Sequence, residues 1–200
     1  TNTGTYVTGI KIVKVTDAAT IAQLATIDGL TTGTLTVTSI SDSAANLFPS
    51  GTLSTRVASG VAVAITGTAT VAQVTAVDKA NGTAAVTYAL SDTAANLVAG
   101  TALLKSGVNV TITGATTLAQ AATIKGKIGA GTLTYTTVSD TAANLAKATA
   151  GSLAGKTVTV VGAPASEAQF DAIVATGGTL AFNDTAAKLV AAAANLDGQD

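Results

Sequence analysis

The chain has no His, no Cys, no Met and no Trp, and only two Pro among its 200 residues. Without His or Cys there is no zinc finger, no thiol nucleophile, no disulfide and no Ser-His-Asp relay. Charge is scarce as well: 10% of residues, with 10 Lys+Arg against 11 Asp+Glu and a net charge of −1. That balance gives no electrostatic handle on nucleic acid or anionic membrane. The mean hydropathy of +0.51 does not signal membrane insertion. Thr, Gly or Asp interrupts every apolar run well short of the ~18 residues that a spanning helix needs. Disorder is equally disfavoured at 48% hydrophobic residues, since disordered chains are poor in apolar side chains. A start at Thr1 without a leader pattern suggests a processed chain or a piece of a longer one.

What the sequence does contain is repetition. Half of it is Ala, Thr or Gly, arranged in two alternating motifs. Ile40-Ser41-Asp42-Ser43-Ala44-Ala45-Asn46-Leu47 returns at 90–97, 138–145 and, as Phe182-Asn183-Asp184-Thr185-Ala186-Ala187-Lys188-Leu189, at 182–189. Between these stand Thr20-Ile21-Ala22-Gln23, Thr70-Val71-Ala72-Gln73, Thr117-Leu118-Ala119-Gln120 and Ser166-Glu167-Ala168-Gln169. The periods divide the chain into an N-terminal β-prone extension (1–9) and four repeats (10–59, 60–106, 107–154 and 155–200) of one continuous domain. Each repeat has a Gln half and an Asp half.

Every half-unit reads as a strand followed by a short helix. Val61, Val63 and Ile65 alternate with Ala62 and Ala64, and Thr132, Thr134 and Thr136 alternate with Leu133 and Tyr135. A period of two places one set inward and the other, rich in Thr, outward. Thr/Ser-x-x-Gln is a capping box, in which the hydroxyl and the Gln amide satisfy two helix-start donors reciprocally. Thr20/Gln23, Thr70/Gln73, Thr117/Gln120 and Ser166/Gln169 are therefore helix starts. Asp42, Asp92, Asp140 and Asp184 stand where the N-cap of the second helix belongs. Asn46, Asn96 and Asn144 form a further column, expected to hydrogen-bond loop or helix-end backbone. Gly residues such as Gly82 and Gly131 end the helices.

Alternating strands and helices point to an α/β fold of parallel strands with right-handed crossovers. Because the strands alternate rather than being apolar throughout, the expected form is a solenoid: about eight coils, one parallel sheet backed by Ala-rich helices, about 40 Å long. An all-β solenoid is the alternative. Tyr6, Tyr88 and Tyr135 read as apolar fillers on strands.

Other motifs carry less. Gly151-Ser152-Leu153-Ala154-Gly155-Lys156-Thr157 approximates a phosphate-binding loop, but it is one residue short between its glycines and opens a strand, not a helix. Successive Asp residues would lie about 10 Å apart, too far to share a calcium ion. The Thr face is too irregular for ordering ice. No catalytic, cofactor-binding or metal-ligating set emerges.

The paired signatures Thr70–Asp78 and Leu90–Leu97, with Val138–Leu145, resemble the tandem repeats of very large bacterial, especially cyanobacterial, surface proteins. The resemblance covers about residues 10–196 and weakens in the fourth repeat, with its shortened Asp-half strand and Lys188 in place of Asn. It implies export, an extracellular or cell-surface location and a structural or adhesive role. Terminal coils without polar caps point to self-association end-to-end or edge-to-edge into a filament or layer. The alternative is an adhesin segment that binds surface glycan.

Overall fold

The computed structural model describes residues 8–163 and 165–181. It is an α/β fold. The strands are β1 (Val13–Ala19), β2 (Leu35–Ser43), β3 (Ala62–Ala69), β4 (Val86–Thr93), β5 (Val110–Thr113), β6 (Ala115–Thr116), β7 (Leu133–Thr134), β8 (Thr137–Thr141), β9 (Thr157–Val161) and β10 (Thr179–Ala181). The helices are α1 (Ile21–Leu30), α2 (Ala44–Leu47), α3 (Val71–Asn81), α4 (Ala94–Ala99), α5 (Leu118–Ile128), α6 (Ala142–Leu145) and α7 (Glu167–Ala175). These helices exclude the all-β alternative. Gln halves carry the long helices, and Asp halves carry the short ones. In the first two Asp halves a 3-10 turn follows the short helix, at Pro49–Gly51 and Thr101–Leu103.

Strands pair in parallel and almost in chain order, but in two sheets where one was expected. The order is β1-β2-β3-β4-β5-β7 in the first and β10-β9-β8-β6 in the second. The break lies in the third repeat. Gly114, at φ +75, alone separates β5 from β6, and Tyr135 and Thr136 separate β7 from β8. A left-handed residue takes the chain out of the ladder, so β5 pairs with β7 before the break and β6 with β8 after it. Gly67 (φ +76) makes the corresponding kink in the second repeat, where the register shifts between Ala64 and Thr68 without splitting the sheet.

The alternation places apolar side chains against the helices. Ile40, Val63, Ile65, Leu90, Val110 and Ile112 of the strands share one core with Leu24, Leu47, Val74, Val77, Leu97 and Ile124 of the helices. Val138, Ala142, Leu145, Leu153, Val158 and Ile173 form a second. Each fully buried Leu or Ile contributes about 2 kcal/mol of transfer free energy. The outward rows are small and mixed, as in Ser41–Ala64–Thr87 across β2, β3 and β4.

Close approach fixes two glycines. A Cβ on Gly33 would fall 2.1 Å from the Lys11 carbonyl oxygen, and one on Gly131 would fall 2.1 Å from that of Val108. Gly131 was expected to end a helix; the cap of α5 is Gly129, at φ +50.

Candidate functional site

The most regular feature of the molecule is the way its helix ends are held. All four capping boxes close. In the second repeat, the Thr70 hydroxyl accepts from the Gln73 N–H at 3.2 Å, and the Thr70 N–H donates to Gln73 Oε1 at 2.9 Å. The same pair forms at Thr20/Gln23, Thr117/Gln120 and Ser166/Gln169. At the other end, the last carbonyl of each long helix accepts a glycine N–H from the segment just before the preceding strand. These bonds are Gly9 to Leu30 (3.3 Å), Gly60 to Asn81 (3.0 Å), Gly107 to Ile128 (2.9 Å) and Gly151 to Ala175 (3.0 Å).

The Asp residues do something other than cap their own helices. The N-caps of α2, α4 and α6 are Ser43, Thr93 and Thr141, each accepting from the N–H of the following Asn46, Asn96 or Asn144. Asp42, Asp92 and Asp140 lie one residue earlier, as the last inward-facing side chains of their strands, and are buried. From there each carboxylate reaches the preceding long helix. Asp42 Oδ2 accepts from the Ile21 N–H at 2.8 Å, Asp92 Oδ2 from Val71 at 3.0 Å and Asp140 Oδ2 from Leu118 at 3.0 Å. Ile21, Val71 and Leu118 are the first residues of α1, α3 and α5, so the Asp supplies an acceptor for an orphan donor that the capping box leaves unpaired. The other oxygen, Oδ1, accepts from the next backbone N–H and from an Asn amide. For Asp92 these are Thr93 N–H at 2.8 Å and Asn96 Nδ2 at 2.7 Å. The same partners recur around Asp42 and Asp140.

The Asn column is thus not a stack of amides or a backbone clamp. Each Asn orients the carboxylate of its own half-unit, with its own N–H tied to the N-cap hydroxyl. Ser/Thr, Asp and Asn together bolt one short helix, one strand and the neighbouring long helix. Burial opposes ionisation of Asp42, Asp92 and Asp140, but the Asn amide and the two backbone N–H groups outweigh it. Each carboxyl therefore sits below its ordinary value. Asp184 and Lys188 lie outside the described residues, as does Tyr6.

Two further positions were not legible as functional. Tyr88 is half-buried and its hydroxyl donates to the Leu103 carbonyl at 3.0 Å, so it ties β4 to the following loop. Asn81, fully buried at the end of α3, donates to the Val61 and Ala84 carbonyls, while its Oδ1 has no partner. Among the described residues, no three His, Cys, Asp or Glu side chains converge as a metal site would require, and no helix is long and apolar enough to cross a membrane. No known protein family, no curated protein and no solved structure matches this chain.

Proposed function

We propose that the chain is a solenoid of alternating Gln and Asp half-units and acts as a non-enzymatic structural protein outside the cell. In this reading it belongs with the tandem repeats of large bacterial surface proteins and associates with further copies of itself into a filament or layer. The observation that carries the reading is the edge of β1 that no described residue pairs. This strand pairs with β2 alone among the described residues. Just before it, Ile10 and Ile12 are 90% and 83% exposed. An unpaired parallel edge beside exposed β-branched side chains is a template for another strand. The half-units inside the molecule are joined by that same kind of pairing, from β1 through β5. Contacts of this sort between copies are heterologous and do not close, which makes extended assemblies.

The test is light scattering of the purified protein across a wide concentration range, with electron microscopy of the same samples. Growth beyond the 19.2 kDa chain is expected, and the double change Ile10→Lys, Ile12→Lys should suppress it by placing charge at the edge. A protein that stays monodisperse at the single-chain mass, at the highest concentration reached, would remove the self-association reading.

A further inference from the structure

The third repeat differs from the second in, among other places, the segment that follows its short helix. Leu97–Val110 and Leu145–Val158 align without a gap, because Val110 pairs with Leu90 and Val158 with Val138. Within that span Val98, Leu103, Leu104 and Val108 give way to Ala146, Gly151, Ser152 and Lys156, while Lys105 gives way to Leu153, which is buried. Leu103 and Leu104 are buried, and Val98 and Val108 pack against the first core. Where their counterparts are small or polar, a groove of about 910 Å³ opens between α5 and the segment from α6 to β9. It lies where the two cores meet: Leu133 on its wall packs with the first and Leu118 with the second.

The groove also gains cations. Lys125, Lys147 and Lys156 line it. The second repeat has Asp78, Ala99 and Val108 at the matching places and Lys105 where the third has Leu153, so one carboxylate and one ammonium have become three ammonium groups. Lys156 Nζ stands 4.7 Å above the centroid of Tyr135. Lys125 Nζ donates to the Gly129 and Gly131 carbonyls and keeps a third donor. The one carboxylate on the wall, Asp140, is already engaged by three donors. Tyr135 itself has changed role. Its counterpart Tyr88 gives its hydroxyl to Leu103, but with Gly151 at that position the Tyr135 hydroxyl has no hydrogen-bond partner among the described residues. Burial raises its pKa, so it remains a neutral donor.

We infer that this groove is a binding site for an acidic oligosaccharide, one whose sugar units carry carboxylates. Three ammonium groups along one groove select an anion. The volume is that of an organic ligand rather than a compact inorganic ion. The Tyr135 hydroxyl, without a partner among the described residues, and Thr132, Thr149 and Ser152 on the walls suit the hydroxyls of sugar rings. The inference is independent of self-association.

The full chain is titrated by calorimetry with trigalacturonate, with neutral galactotriose and with inorganic sulfate. Saturable binding of trigalacturonate is expected, with both other probes weaker by about tenfold or more, the worth of one charge-assisted contact. The double change Lys147→Ala, Lys156→Ala should weaken trigalacturonate by at least about tenfold. Ser152→Leu, which restores the side chain of the second repeat, should block binding without altering charge. Thermal melts by circular dichroism establish that both variants fold; if either does not, Tyr135→Phe, expected to weaken binding several-fold, takes its place. Absence of saturable trigalacturonate binding overturns the assignment. So does equal affinity for sulfate or galactotriose, or binding unchanged in the folded variants.

Discussion

At the scale of single residues, the chain places its few charges where they act on backbone. Asp92 is the example: buried, with one oxygen on the first N–H of α3 and the other on Thr93 and Asn96. Asp92→Ala strands these donors in a buried place, and each unsatisfied group costs about 1–3 kcal/mol. A loss of roughly 3 kcal/mol in urea unfolding is expected, with Asp92→Asn intermediate because an amide can accept through one atom only. A loss within the error of the measurement would mean that water replaces the carboxylate freely. The recurrence of this Asp was plain in the sequence, but its role was not. Ser, Thr and Asp are all good N-caps, so Asp42-Ser43 or Asp92-Thr93 offers two candidates one residue apart. The deciding partner, Ile21 for Asp42, lies 21 residues away, a distance at which local pattern is silent.

At the scale of elements, the long helices are the most legible part, because the capping box is a local device with a fixed spacing. Their ends and the packing around them were less so. Gly100 follows α4, and a Cβ there would fall 2.5 Å from Val71 Cγ1 at the start of α3. Val is stiff at χ1, so the close approach of the two helices depends on the missing side chain. Gly100→Ala should cost about 1–3 kcal/mol by overpacking. Most of that cost should disappear in the background of Val71→Ala, so a double-mutant cycle should give a coupling above roughly 0.5 kcal/mol. Strictly additive effects would show that α4 moves aside at no cost. The third repeat has Ala148 at this place, where α6 stops at Leu145, so the short helix and the tolerated Ala go together. The split of the sheet in that repeat has the same character. Gly114 was visible, but Gly67 bends the chain similarly while its sheet stays whole; only the pairing partners distinguish the two.

At the scale of the whole molecule, three like carboxylates are spread along the described chain, one in each of the first three repeats, so acid acts on all three at once. The folded pKa of Asp42, Asp92 and Asp140 is depressed, the Asn and backbone donors outweighing the burial that raises it. Such a group contributes stability that is fully present above its unfolded value near ~3.9 and is lost as pH falls through the folded value. With no His in the chain, no imidazole titration overlaps that window. Protonation removes an acceptor from a site where all three partners are donors, and each site joins a strand, a short helix and a long helix. The urea midpoint should therefore hold steady from pH 7 to about 5 and then drop steeply toward pH 3. The triple change Asp42→Asn, Asp92→Asn, Asp140→Asn should start from a lower midpoint at pH 7 and lose much less on acidification. Urea titrations of both proteins at four pH values decide it. If the triple variant keeps the full acid dependence of the parent, the coupling to pH resides elsewhere, and these carboxylates hold the helices by geometry alone.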